Sequence, residues 1–214
     1  MKNLFQLLLL LALLVASDLM ANAPEDRHAW EFSVFLDDRK IGFHRFERRG
    51  DPERHEVSSE ASFDVRFLFL NAFSYRHNNN EVWDGGCLER IESSTQQNGD
   101  RQSVTGTRDE NGFILDTGNT QRSLDECVMT FAYWNPDFLE QQRLLNPQTG
   151  EYLPIEVQAL GLRSLTVRGK AVPATGYRVV AKGTELTVWY SENLEWLGLE
   201  SKAKGGRVIR YELT

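Results

Sequence analysis

From Trp30 to Leu213, apolar and polar residues alternate in short runs, and turn-forming residues break the runs at intervals of roughly ten residues. A period of two sends successive side chains to opposite faces of a strand, so a chain patterned this way is committed to antiparallel sheet. Trp30, Phe32 and Val34 alternate with Glu31 and Ser33, Asp37-Asp38-Arg39-Lys40 supplies a turn, and Ile41, Phe43 and Arg45 continue on a second strand, which reads as a hairpin. Residues 56–65 and 73–83 repeat the pattern. In the second of these Phe73, Tyr75, His77 and Asn79 share one face, with Ser74, Arg76, Asn78 and Asn80 on the other. The link between them, Phe67-Leu68-Phe69-Leu70, has lost alternation and calls for cover on both sides. Further strands are expected at 87–96, 102–108, 113–115, 151–159, 165–168, 177–181, 186–190, 196–201 and 207–213. Asp84-Gly85-Gly86, Asn98-Gly99, Asn111-Gly112, Lys182-Gly183, Glu192-Asn193 and Gly205-Gly206 mark turns.

One stretch departs from this pattern. Ser123-Leu124-Asp125-Glu126 has the spacing of a capping box and predicts a helix carrying Cys127, Val128, Phe131 and Ala132. Asn135 followed by Pro136 predicts a second short helix with Phe138, Leu139 and Leu144 along one side. Ten or more strands in roughly 190 residues, with a short helical insertion near 123–145, imply a strongly curved antiparallel sheet or an open β-barrel. No linker or low-complexity tract interrupts it, so residues 22–214 are expected to form a single β domain.

Ahead of that domain, Met1 and Lys2 precede an apolar stretch of 13 residues, Leu4 to Ala16, broken only by Gln6. Such a stretch is too short to cross a bilayer and suits a signal peptide, expected over residues 1–21. Cleavage after Ala21 is favoured, with Ser17 second, because a cut after Ala23 would place Pro24 next to the scissile bond. No cysteine lies nearby to carry a lipid, so no stable membrane anchor is expected. The 2 cysteines, Cys87 and Cys127, are expected to form a disulfide in an oxidising compartment. With 31 acidic against 24 basic residues, a net charge of −7 and no basic run longer than a pair, the chain lacks the footprint of a nucleic-acid binder.

Catalytic motifs are absent from the sequence: there is no nucleophile elbow, no zinc-protease helix and no phosphate-binding glycine loop, so no cofactor and no metal are expected. His28, His44 and His55 stand among charges and are expected to be solvated. His77 lies in a long polar strand face that either meets solvent or lines a wet cavity or an active site. His77 and Glu81 share that face, but four strand positions put them about 13 Å apart, too far to share an ion. None of the carboxylates sits in an apolar run, and all are expected to be solvated. Aromatic residues gather around the helical insertion and the C-terminal strands. Trp83, Phe131, Tyr133, Trp134, Trp189 and Tyr190, with Phe138 and Trp196 beside them, are either core or the lining of an apolar cavity, and the first six are the candidate ligand-lining residues.

Several blocks are distinctive: Tyr75-Arg76-His77 through Glu81-Val82-Trp83-Asp84, then Cys87-Leu88-Glu89, Cys127 through Phe131-Ala132-Tyr133-Trp134-Asn135, Leu145-Asn146-Pro147-Gln148-Thr149-Gly150-Glu151, and the endings Leu186 to Tyr190 and Val208 to Leu213. Together they make nearly the whole mature chain resemble DUF6134, a domain of unknown function found in exported Gram-negative proteins. The resemblance implies a periplasmic location and no known activity, so it assigns no functional residue. The C-terminal strands are more loosely similar to the half-open barrels of periplasmic lipoprotein carriers, an analogy of fold only. The function expected first is therefore a non-catalytic binding or carrier module for an apolar or amphipathic small molecule or lipid of the envelope. The alternatives are an assembly factor that meets an envelope protein without using a pocket, and a hydrolase of envelope polymer using His77 with Glu81 or Asp84.

Overall fold

A computed structural model describes residues 26–67 and 70–214; the expected signal peptide, residues 1–21, and Leu68-Phe69 of the apolar link lie outside the described residues. The strands are β1 (Arg27–Leu36), β2 (Arg39–Gly50), β3 (Arg54–Phe67), β4 (Leu70–Asp84), β5 (Cys87–Gln97), β6 (Asp100–Asp109), β7 (Gly112–Asp116), β8 (Gln121–Leu124), β9 (Arg143–Leu145), β10 (Tyr152–Val167), β11 (Lys170–Ala181), β12 (Thr184–Tyr190), β13 (Trp196–Lys202) and β14 (Val208–Leu213). They form one antiparallel sheet in the order β8-β7-β6-β5-β4-β3-β2-β1-β14-β13-β12-β11-β10-β9. Two meanders are thus sewn together where the first strand meets the last, with Phe32 opposite Leu213 and Leu36 opposite Ile209. The end strands β8 and β9 do not pair with each other, so the barrel is open, as the alternation predicts.

Register turns one face of the central strands inward. On β1 the even residues Trp30, Phe32, Val34 and Leu36 are buried; on β4 the odd residues Tyr75, His77, Asn79, Glu81 and Trp83 are. The main core joins the inner faces of both meanders through Phe32, Trp83, Leu88, Ile91, Phe113, Leu115, Val188, Tyr190 and Trp196. A smaller core of Val34, Leu36, Ile41, Ala61, Phe63 and Tyr75 closes the other end. Gly42 on β2 lets the backbone of β3 come close, since a Cβ there would collide with the carbonyl oxygen of Ser62.

The gap between β8 and β9 is where expectation and structure part. Ser123 caps no helix: it lies on β8 opposite Ile114 of β7. Residues 125–135 instead form a non-helical strap: after an exposed bend at Glu126-Cys127, residues 128–132 enter the barrel, and a turn at 133–134 leads out to Asn135. Leu88 N–H donates to the Val128 carbonyl at 2.9 Å, and Leu145 N–H donates to the Met129 carbonyl at 2.9 Å. Val128, Met129, Ala132 and Trp134 are all buried, together with Thr130, so the segment is buried on more than one side and lacks the one-sided burial that favours a helix. With strand edges on either side to satisfy its backbone, the strap takes sheet-like hydrogen bonds, and context overrides the capping signal. The second helix does form, as a 3₁₀ turn at Pro136–Glu140 capped by Asn135, whose side chain accepts from Asp137 N–H. Two expected strands, at 151–159 and 165–168, prove to be the single strand β10, bulged near Gly161. The turn before β7 is centred on Glu110-Asn111, one residue earlier than the Asn-Gly pair indicates.

Candidate binding cavity

Beneath the strap the inner face of β2, β3 and β4 turns polar, and a cavity of about 150 Å³ opens there. Its floor is His44, Ser59, His77, Asn79 and Glu81; its roof is Thr130, Phe131, Tyr133 and Trp134 of the strap, with Asn146, Pro147 and Gln148 of the β9–β10 loop at the side. The polar floor follows from the period of two. Once the register turns Tyr75 and Trp83 inward, His77, Asn79 and Glu81 between them must follow. The expectation of solvated carboxylates and of a solvated His55 is corrected accordingly: Glu81 is 3% exposed and His55 6%, and His77, left open between solvent and a cavity, is 4% exposed. Of the three histidines expected in solvent only His28 is there, half exposed beside Glu195 at 3.0 Å, while His77 takes the cavity-lining alternative.

Glu81 organises the floor. Its Oε1 accepts from Asn79 Nδ2 at 2.8 Å and its Oε2 from Trp83 Nε1 at 3.0 Å. The Thr130 hydroxyl of the strap donates to the same carboxylate, fastening the roof to the floor. Burial nevertheless pushes the Glu81 carboxyl above its ordinary pKa, the three donors working against that shift. Because Asn79 gives its amide N–H to Glu81, its Oδ1 is left as an acceptor, and that buried atom has no partner among the described residues. His44 Nε2 is likewise buried without a partner, while its Nδ1 lies 3.4 Å from the Tyr211 hydroxyl. His77 Nδ1 bonds the Thr95 hydroxyl at 2.9 Å. Buried atoms of this kind cost free energy unless something fills the space beside them.

Burial lowers the His77 pKa to about 4, and holds His44 well below its ordinary value with help from the nearby His77. The unfolded chain titrates these rings near 6.5. Between about 4 and 6.5 it therefore binds more protons at His77 than the fold does, so stability falls as pH falls through that window. For His77 the loss reaches roughly 3 kcal/mol. Glu81 acts with the opposite sign, because a raised carboxyl pKa stabilises the fold as pH drops, and reduces the net loss. Urea midpoints of the wild type and of His77→Gln, measured from pH 7 down to pH 4, are expected to diverge, the variant showing the flatter profile. An unchanged slope would assign the acid sensitivity elsewhere.

Of the six candidate ligand-lining aromatics, the structure brings Phe131, Tyr133 and Trp134 to the cavity wall. The other three lie elsewhere. Trp83 is fully buried behind the wall, its ring edge-on to Trp134 at 5.3 Å. Tyr190 is buried below the strap and donates its hydroxyl to the Tyr133 carbonyl at 2.6 Å. Trp189 lies over Gly176 on the neighbouring strand, with the Arg163 guanidinium 5.3 Å from its ring. Sequence reasoning put His77, Asn79 and Glu81 on one face that could line a cavity, but missed His44 and Thr130, which reach the same site from β2 and the strap. Trp134 also packs edge-on to His55 at 5.2 Å, so Trp134→Ala is expected to cost about 3 to 5 kcal/mol, read from the thermal or urea midpoint. The expected disulfide is present: Cys87 and Cys127 are bonded with their Cα atoms 5.0 Å apart. Among the described residues no group of three metal-ligating side chains comes together.

No curated protein matches this sequence. In fold the chain is similar to a crystal structure of a beta-barrel-like protein of the domain of unknown function DUF1849 from Brucella abortus, with a TM-score of 0.61 over 89% of this chain and 95% of that one, at 8% sequence identity. At that identity the likeness carries the architecture alone. The sequence model of the domain of unknown function DUF6134 matches residues 32–214, from β1 to the end of the chain, and the protein belongs to that family.

Proposed function

We propose that the protein is an exported, periplasmic binding module that holds a small amphipathic molecule between the polar face of β3–β4 and the aromatic strap. The observation that carries this reading is the pair of buried, unpartnered atoms, Asn79 Oδ1 and His44 Nε2, in the wall of a cavity whose opposite side is aromatic. Its volume, about 150 Å³, is that of a cavity that takes a benzene ring, so a compact molecule or a short apolar tail fits and a whole lipid does not. Binding is favoured over hydrolysis because Glu81 is engaged by Asn79, Trp83 and Thr130, and its strand spacing keeps it from His77, so these two do not form an acid–base pair. The test is native mass spectrometry of the protein after incubation with envelope extract. One small molecule per chain is expected, and Trp134→Ala should release it; a bare mass in every preparation would refute the reading.

A second reading, a docking partner for an envelope protein, is favoured by the outer edge of β10. Among the described residues β9 covers only Tyr152–Pro154, so the remainder of this strand pairs on one side alone. It carries Leu162 at 81% exposure and Leu160 beside it. Exposed edges with apolar side chains invite added strands. Capture of one envelope protein by the wild type and its loss in Leu162→Asp would support this reading.

A further inference from the structure

We propose that the molecule held in the cavity is a small organic ammonium: a protonated primary amine on a ring-sized apolar body. This rests on the binding reading above and assigns it a ligand class. Glu81 is buried and lines the cavity, and among the described residues no ion pair to it is present. Its only partners are the neutral donors of Asn79, Trp83 and Thr130. A buried carboxylate of this kind is stabilised by a cation brought alongside, and an anionic ligand would meet repulsion instead. The histidines of the lining add no competing positive charge, since burial keeps both His44 and His77 neutral at pH 7.

Asn79 adds direction to the charge. With Nδ2 committed to Glu81, its unpartnered Oδ1 requires a donor, and the residue is 7% exposed. An N–H of an ammonium satisfies it, whereas an ether, a carboxylate or a quaternary ammonium offers no proton. Opposite these oxygens stand Phe131, Tyr133 and Trp134, with Phe46 beside His44. Aromatic faces accept both an apolar body and the positive head it carries. A ring with one aminomethyl arm matches the size of the space and both of its walls.

The experiment is isothermal titration of the protein at pH 7 with benzylamine, benzyl alcohol and benzoate, three compounds of one size that differ in charge and donor. Benzylamine is expected to bind at least tenfold tighter than benzyl alcohol, with no saturable benzoate signal. Glu81→Gln should weaken the amine far more than the alcohol, bringing the two affinities within about threefold of each other. The wild-type series decides the matter alone should Glu81→Gln fail to fold. Equal or tighter binding of the alcohol or benzoate overturns the ammonium assignment while leaving a binding cavity in place. Absence of binding by all three also overturns it, and the extract experiment then decides separately whether the cavity holds anything.

Discussion

Trp83→Ala is expected to destabilise the fold by about 3 to 5 kcal/mol from lost packing and the cavity left behind. The residue is fully buried, and its ring meets Trp134 edge-on at 5.3 Å and lies parallel to His55 at 6.5 Å. A second loss is chemical. Its indole N–H is one of the donors to Glu81, so truncation also leaves a buried carboxylate oxygen short of a partner. Trp83→Phe separates the two effects: most of the ring packing remains, and the expected cost of about 1 to 3 kcal/mol reports the missing hydrogen bond. Urea denaturation of both variants provides the numbers. Equal costs for Ala and Phe would mean that packing contributes little and that the hydrogen bond dominates.

Replacing both Cys87 and Cys127 with Ser is expected to lower stability by about 2 to 5 kcal/mol. The bond closes a loop of 40 residues, for which the chain-entropy relation gives roughly 4 kcal/mol. It also sits beside the hydrogen bond from Leu88 N–H to the Val128 carbonyl, so the covalent link and the first anchor of the strap share one corner of the barrel. Without the link, the strap is held by Val128, by Met129 on β9 and by Thr130 on Glu81, and the cavity roof loosens with it. Intact mass should show two hydrogens fewer than the reduced chain, and the variant should lose both midpoint stability and any retained ligand. Alkylation of both thiols without reductant would contradict the bond.

The cavity was only half legible in the sequence. Alternation over 73–83 put His77, Asn79 and Glu81 on one face, yet the same alternation suits a solvent-facing side, and nothing local distinguishes the two. What decides is the company of Tyr75 and Trp83, which commit the odd face to the interior. The aromatic strap was legible as a cluster but not as a shape. A capping box at Ser123 and apolar spacing through Ala132 describe a helix, and only the neighbouring β5 and β9 make extended backbone the better satisfied alternative.

Period-two alternation and turn residues by themselves determined that this chain folds as an antiparallel meander, because each strand's inner face is set by its own side chains. The two cysteines were legible as a disulfide for a simpler reason: a lone pair has one intramolecular pairing available. Tertiary structure alone decided that β1 pairs with β14, that the barrel stays open between β8 and β9, and that residues 128–132 thread into its interior. It also decided that Glu81 is buried on three neutral donors beneath an aromatic roof. These features depend on contacts between residues far apart in the chain, and burial and charge pairing at such contacts leave no periodic trace in the sequence.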